Sequence, residues 1–268
     1  MSKKAQVITE IFKICRKKKD YTFHNDLVKK VSQKVGFGNP FDATKIDDKS
    51  KLPEILIKND YALIHLGKGF HSFIKGIDTI FHTFEPIQKT EDWSYRKSVL
   101  NHYNTSESNV LSVANNQRIL HRFVLGKEAK LYEMEKSLKT YFPHRTKIDM
   151  DYSINGVPIS LDKMQIEIDL TIEMNGIVSV FEAKNGNPNS FVIYQLYHPF
   201  LYYHKAKNDE NVCGKIDDIV CVYLTKTIEE GFIFLNLWAY TFEDPFEITS
   251  IKFLKSCSYK LIPEQSKC

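Results

Sequence analysis

One segment, Gln165–Lys184, constrains the fold of this chain more than any other. Two runs of strand-forming residues flank Asn175-Gly176, a dipeptide that favours the two-residue turn of a β-hairpin. Because side chains alternate across a strand, a hairpin with this turn places four charged residues on one face, in two opposed pairs. The pairs are Asp169 with Glu182 and Glu167 with Lys184. Apolar residues occupy the alternate positions, so the opposite face is expected to be a core face.

The opposed carboxylates are the part of this hairpin that indicates chemistry. Directly opposed residues have Cβ atoms about 4.5–5.5 Å apart, and two carboxylates so close repel each other unless a cation lies between them. Mg²⁺ suits such oxygen ligands, since it binds one or two carboxylates and keeps several waters. Lys184 points to the same side and can supply positive charge to a phosphate or help to deprotonate a water. Together these groups favour phosphodiester hydrolysis; the alternative is a surface hairpin with scattered charges.

The rest of the C-terminal part predicts an α/β sheet domain, because helical and strand patterns alternate along it. A second hairpin is expected around Asn155-Gly156. The other expected elements are helices at Ser106–Leu125, 128–142 and 190–206, the last bent at Pro199, and strands at Ile219–Thr225 and Phe232–Thr241.

The first 85 residues predict a separate unit, with helices at 5–16, 24–35 and 50–60 and a hairpin around Gly67-Lys68-Gly69. Three short helices followed by a hairpin resemble a winged helix, in which the third helix enters the DNA major groove and the hairpin contacts the backbone. Lys58 and Lys68 lie where such contacts are made. The alternative is a small helical domain that only packs or dimerises. Residues 86–98 are polar and without periodicity, and they are expected to be a linker.

Composition excludes several classes of protein. The chain has 268 residues, 43% of them hydrophobic, and a net charge of +4, which fits one or two globular domains with a weakly basic surface. No apolar run of about 18 residues or secretion signal is present, so a cytoplasmic location is expected. The five cysteines form no Cys-x-x-Cys pair, and there is no His-Glu-x-x-His or phosphate-loop motif. These absences disfavour structural zinc, zinc hydrolysis and ATP use.

The order Asp169, then Glu182-Ala183-Lys184, resembles the motif of the PD-(D/E)xK nuclease superfamily. Longer stretches look similar to one group of type II restriction endonucleases: Gln165–Asp169, Phe181–Asn185, Tyr194–Pro199 and the helix that begins at Ser106. The resemblance spans roughly residues 100–245 and does not extend to residues 1–85. Ile168 stands where the superfamily name has proline, a departure shared by many members.

The resemblance implies a role for each of these residues. Asp169 and Glu182 would bind Mg²⁺, and Lys184 would act on the attacking water or the scissile phosphate. Three further residues would assist: Glu107 at the start of the preceding helix (with Glu135 as second candidate), Glu167, and Gln195 on the following helix. A glutamate at a helix start is also expected from the helix dipole alone, and Gln195 could be an exposed helix residue.

The fold that the resemblance implies is α/β (α+β), with a PD-(D/E)xK restriction-endonuclease-like core at residues 99–268 behind an N-terminal winged-helix domain. The implied activity is that of a type II site-specific deoxyribonuclease, which hydrolyses double-stranded DNA with Mg²⁺ and leaves 5′-phosphate ends. A homodimer and a cognate DNA methyltransferase in the same bacterial cell are the implied partners. The alternatives are a DNA repair or junction-resolving nuclease, and a winged-helix regulator with an inactive nuclease domain.

Overall fold

The computed structural model describes residues 1–104, 106–126, 138–209 and 216–264. In residues 1–85, which we call the N-terminal module, the helices are α1 (Lys3–Lys18), α2 (Asn25–Val35) and α3 (Glu54–Asn59). Strands β1 (Thr22–His24), β2 (Tyr61–Gly67) and β3 (Phe70–Lys75) form an antiparallel sheet in the order β1-β3-β2. The third helix is shorter than predicted because Leu52, which precedes Pro53, is extended.

A seven-stranded mixed sheet forms the centre of the remaining chain. Its order is β5 (Thr90–Tyr95), β14 (Ile251–Pro263), β13 (Phe232–Phe242), β12 (Asp218–Glu229), β10 (Ile177–Asn185), β9 (Leu170–Met174) and β6 (Lys139–Tyr141). The pairs β10–β12 and β14–β5 are parallel, and the other neighbours are antiparallel. The chain therefore has a mixed α/β architecture of the α+β kind.

Two smaller sheets flank this central sheet. Strands β7 (His144–Ile154) and β8 (Val157–Ile168) form a long hairpin, and β4 (Phe81–Thr83) pairs with β11 (Ser190–Val192). The predicted turn at Asn155-Gly156 is confirmed, since both residues have the positive φ angles, 50° and 75°, that such a turn requires.

The helices of the C-terminal part differ in their ends from the predictions. They are α4 (Glu107–Asn116), α5 (Ile119–Leu125) and α6 (Tyr194–Lys207), which contains Pro199. The single helix predicted at Ser106–Leu125 is divided, because Arg118 takes a left-handed conformation with φ 64°. The helix predicted at 190–206 begins later, since β11 occupies its start. The helix predicted at 128–142 lies outside the described residues over 128–137, and it is wrong at 139–141, which is β6.

The core lies on both faces of the central sheet. Val178 and Val180 of β10 belong to one cluster of buried residues, which also includes α6, the β7–β8 hairpin and the N-terminal module. Phe181 and Ala183 belong to a second cluster with α4 and α5. The linker expected at residues 86–98 contains β5, whose Trp93 and Tyr95 pack against this second cluster, so it is not a free connection. No helix in the described part of the chain is long and apolar enough to cross a membrane.

Candidate active site

Asp169 lies where the chain passes from the β7–β8 hairpin into the central sheet. The pairing of β9 with β10 runs from Met174 and Ile177 to Leu170 and Phe181, which confirms the register predicted from the Asn175-Gly176 turn. Asp169 is the next residue, and its Oδ2 accepts a hydrogen bond of 3.2 Å from the backbone N–H of Ala183. The structure thus holds the Asp169 carboxylate beside the end of β10.

Glu167 does not oppose Lys184 as predicted. It pairs instead with Arg145 in β7, and the two side chains form an ion pair of 3.0 Å. The reason is that the residues before Asp169 belong to β8, which pairs with β7, whereas those after it form β9 in the central sheet. The strand predicted at 165–174 is therefore divided between two sheets at Asp169. The prediction that four charged residues share one face of the hairpin is therefore wrong for Glu167.

Glu182 and Lys184 lie two residues apart on β10 and form the centre of the site. The Nζ of Lys184 lies 2.8 Å from Oε1 of Glu182 and 3.2 Å from Oε1 of Glu107, so the lysine bridges the two carboxylates. The side chains of Glu182 and Lys184 are only 12% and 20% exposed, whereas Glu107 is 45% exposed. Glu107 reaches the site because Ser106 caps α4 by accepting from the backbone N–H of Asn109, which places this glutamate in the first turn.

Gln195, which the family resemblance assigned to the site, faces it from the first turn of α6. Its Nε2 donates a hydrogen bond of 2.7 Å to Oε1 of Glu182. Its Oε1 is buried and has no hydrogen-bond partner among the described residues. Buried polar atoms are normally paired, so this oxygen is available to a ligand or water.

Burial dominates the electrostatics of the two central carboxylates. It raises the pKa of Glu182 to about 8, against the lowering effect of Lys184, and the Asp169 charge raises it further. Burial also raises the pKa of Asp169, although the Ala183 N–H and Lys184 act in the other direction. Burial alone would lower the pKa of Lys184, but the charges of Glu182, Glu107 and Asp169 raise it above its usual value. The lysine is therefore held as a cation.

These residues open into a cleft with a cavity volume of about 630 Å³. One wall carries the site residues Glu107, Glu167, Asp169, Glu182, Lys184 and Gln195. The other wall belongs to the N-terminal module and includes Lys4, Asp42, Lys45, Asp47, Lys51 and His65. His198 and Tyr194 of α6, whose rings stack 5.5 Å apart, also line the cleft.

The donor set fits a divalent cation such as Mg²⁺. Asp169 and Glu182 are hard oxygen donors. Burial raises the pKa of both because it disfavours their charged forms, which a bound cation would stabilise. No group of three or more His, Cys, Asp or Glu side chains in a metal-binding arrangement occurs in the described ranges. Mg²⁺ does not need one, because it binds through one or two carboxylates and retains water.

The other predicted site residues lie elsewhere or outside the described part of the chain. Lys58, in α3, forms an ion pair of 2.5 Å with Glu54. Lys68, in the turn between β2 and β3, forms an ion pair with Asp162 of β8. Their predicted contacts with DNA stay predictions. Glu135, the second candidate for an additional acid, lies outside the described residues.

Two families match this chain. The family described as "Domain of unknown function (DUF6997)" matches residues 76–260, which is more than half of the chain. The chain belongs to this family. The family described as "Domain of unknown function (DUF6996)" matches residues 5–73. None of the curated proteins and none of the solved structures matches the chain.

The two matched ranges correspond to the two walls of the cleft. The DUF6997 range includes all the site residues from Glu107 to Gln195, whereas Lys45, Asp47 and His65 lie in the DUF6996 range. Sequence reasoning missed these three residues, because a local pattern carries no record of a contact between distant parts of the chain. The unusual density of lysine in the first 51 residues was the only signal that pointed to this region.

Proposed function

We propose that this DUF6997 protein is a type II site-specific deoxyribonuclease with a PD-(D/E)xK catalytic core, which hydrolyses double-stranded DNA with Mg²⁺. The observation that carries the proposal is the convergence of Asp169, Glu182 and Lys184 in one cleft. Asp169 lies between β8 and β9, beside the end of β10 that carries Glu182 and Lys184. Two carboxylates and a cationic side chain that line a cleft suit metal-assisted attack on a phosphodiester.

Each side chain of the site has a separate role in this reaction. Asp169 and Glu182 would hold Mg²⁺, and a bound Mg²⁺ would supply Lewis-acid chemistry for the phosphate and the attacking water. Lys184 stays charged, since its pKa is raised, so it donates hydrogen bonds to the phosphate or the water instead of removing a proton. Glu107 holds Lys184 in place, and Gln195 orients Glu182 through the 2.7 Å hydrogen bond.

A winged-helix assignment for the N-terminal module is part of the proposal. Its support is the chain order α1, β1, α2, α3, β2, β3 and the sheet order β1-β3-β2. In such a domain, Lys58 of α3 and Lys68 of the hairpin would contact DNA, but each must first exchange its acidic partner for a phosphate. We further propose a homodimer for palindromic sites, a cognate methyltransferase partner and action in the cytoplasm.

Digestion of plasmid and phage DNA with and without Mg²⁺ tests the function. The wild-type protein is expected to give discrete fragments with Mg²⁺ only, and Lys184→Ala is expected to lose this activity by a factor of about 100 or more. Lys139→Ala is the matched control, because this lysine lies in the same sheet but pairs with the half-buried Glu173, away from the cleft.

Each other outcome of the digestion favours a named rival. Cleavage of branched DNA alone would favour a repair or junction-resolving nuclease. Tight metal-independent binding of DNA, with every substrate intact, would favour a winged-helix regulator with an inactive nuclease domain. Equal activity of Lys184→Ala and wild type would reject the assigned site.

A further inference from the structure

The loop between α2 and α3 is fixed against the catalytic part of the chain. The backbone N–H of Lys49 donates a hydrogen bond of 2.9 Å to Oγ of Ser190 in β11. Within the N-terminal module, Lys4 of α1 pairs with Asp42 of the loop at 3.1 Å, and Lys51 pairs with Asp47 within the loop at 2.7 Å. The loop is thus an ordered wall of the cleft.

The hairpin β2–β3 supplies a second attachment. Gly67 packs so closely on β8 that a Cβ atom at this position would overlap the backbone carbonyl of Asp162. Lys68 adds its ion pair with Asp162. The tip of the hairpin therefore contacts the catalytic part of the chain, and the N-terminal module sits beside the active site as a fixed partner.

The two walls of the cleft differ in charge, and this difference affects the binding of a polyanion such as DNA. The wall with the catalytic residues is acidic, and its lysine, Lys184, is already engaged by Glu182 and Glu107. On the facing wall Lys4 and Lys51 are also paired. Lys45 is exposed, lines the cleft and has no ion pair with any residue that the structure describes. It is therefore the cation of this cleft that can take a new anionic partner without losing an old one.

We infer that Lys45 binds a backbone phosphate of the DNA strand in the cleft, so that the N-terminal module completes the active site across from Lys184. The inference rests on the proposed function, because it takes the substrate to be DNA. A phosphate beside the scissile one must pass the acidic wall, whose carboxylates repel it. A fixed cation on the opposite wall offsets this repulsion. Lys45 is a substrate-positioning residue, distinct from the catalytic set.

The test combines binding and cleavage with four proteins: wild type, Lys45→Ala, Lys45→Arg and Lys97→Ala. Lys97 is the matched control because it is exposed, has no ion pair within the described residues and follows β5 at the far edge of the central sheet. Binding to a labelled duplex from a cleaved plasmid is measured by fluorescence anisotropy without Mg²⁺ over a range of salt concentrations. Cleavage of the same plasmid is measured with Mg²⁺.

Lys45→Ala is expected to weaken binding about three- to tenfold, and to reduce the slope of log affinity against log salt by about 0.9, the value for one phosphate contact. The KM should rise by the same factor, with kcat within about twofold of wild type. Lys45→Arg should keep most of the binding, and Lys97→Ala all of it.

Two results would overturn the inference while leaving the nuclease proposal intact. One is unchanged binding and an unchanged salt slope for Lys45→Ala beside a wild type that binds and cuts DNA. The other is a fall in kcat without a rise in KM, which would place Lys45 in the chemical step. A wild-type protein that neither binds nor cuts DNA would reject the proposed function, and with it this inference.

Discussion

At the scale of single residues, Glu182 is an ionisable group whose buried surroundings disfavour its charge. The side chain is nearly buried on a central strand, accepts hydrogen bonds from Lys184 and Gln195, and still has a raised pKa of about 8. A structural role would not need an ionisable group here, because a glutamine could accept the same hydrogen bonds. The carboxylate is expected where a ligand supplies the missing positive charge, as perturbed pKa values tend to mark functional sites.

Glu182 and Glu107 are therefore expected to respond differently to the loss of charge. Glu182→Gln should lower the cleavage rate by a factor of about 100 or more, because it removes a proposed metal ligand. Glu107→Gln should lower it by a factor of only about ten, since Glu107 pairs with Lys184 and is half exposed. Rates at saturating DNA over a Mg²⁺ titration separate the two, because only Glu182→Gln should also weaken the apparent affinity for Mg²⁺. Equal losses in both variants would show that Glu107 is itself a ligand.

The sequence was informative about those site residues that one hairpin brings together. Asp169, Glu182 and Lys184 follow from the Asn175-Gly176 turn and strand alternation alone. Glu107 and Gln195 needed the family resemblance, since the distance between helices and a strand is not encoded in a local pattern. Lys45 carries no local motif, and its position in the cleft depends on tertiary packing between parts of the chain more than 100 residues apart.

At the scale of secondary structure, Glu247 fastens the β7–β8 hairpin to the loop between β13 and β14. Its carboxylate accepts hydrogen bonds from Oγ of Ser153 at 2.6 Å and from the backbone N–H groups of Asn155 and Gly156 at 3.0 and 3.1 Å. Burial alone would raise its pKa, but the hydrogen bonds from Ser153, Thr249 and Gly156 lower it to about 2. The turn of a hairpin that leads directly to Asp169 is thereby anchored.

This anchor predicts a defined pH dependence of stability. Because the folded-state pKa of Glu247 is depressed below its unfolded value, its contribution is complete above about pH 4.5 and is lost as the pH falls towards about 2. Glu247→Gln should reduce the free energy of unfolding by about 1 kcal/mol at pH 7, after allowance for solvent screening, and by less at pH 3.

Urea denaturation at pH 7, 5 and 3 measures this dependence. Glu243→Gln is the control, because Glu243 pairs with Lys252 and both side chains are more than half exposed. A constant difference between wild type and Glu247→Gln at all three pH values would contradict the anchor.

Some secondary-structure elements of this chain follow from local sequence, and others depend on partners distant in the chain. Both Asn-Gly hairpins were predicted with their turns, because the positive φ angles of those residues are a local property. The division of 165–174 between two sheets was missed, since it depends on the competing partner β7. The strand β14 was not recognised at all, although it is central to one half of the sheet. The polar residues that alternate along β14 find their hydrogen-bond partners in neighbouring elements, which pack beside this strand only on folding.

At the scale of the whole molecule, the N-terminal module and the catalytic part share one buried core. Phe12 and Ile64 of the module belong to the same cluster as Val180 and Tyr197. A tethered DNA-binding domain would instead have its own separate core. The shared core fixes the facing wall of the cleft, and we therefore expect that loosening the module weakens catalysis even when no catalytic residue is touched.

Gly67→Ala tests this expectation, with Gly156→Ala as its control. Both glycines have positive φ angles, 90° and 75°, so alanine costs about 1–2 kcal/mol of backbone strain at either position. At Gly156 the new methyl group meets no atom of the described residues within 4 Å, whereas at Gly67 it overlaps the Asp162 carbonyl and must displace the β2–β3 hairpin from β8.

Gly67→Ala should therefore lower Tm by at least about 2 °C more than Gly156→Ala does. It should also reduce the cleavage rate several-fold at a temperature where both variants are folded, because the wall that carries Lys45 moves away from Lys184. Thermal melts and cleavage assays on the two variants decide the matter. If Gly67→Ala is the less stable variant yet cuts DNA as fast as Gly156→Ala, the hairpin contact stabilises the fold without shaping the cleft. Slower cleavage in Gly67→Ala alone would identify the attachment of the N-terminal module as a requirement for catalysis.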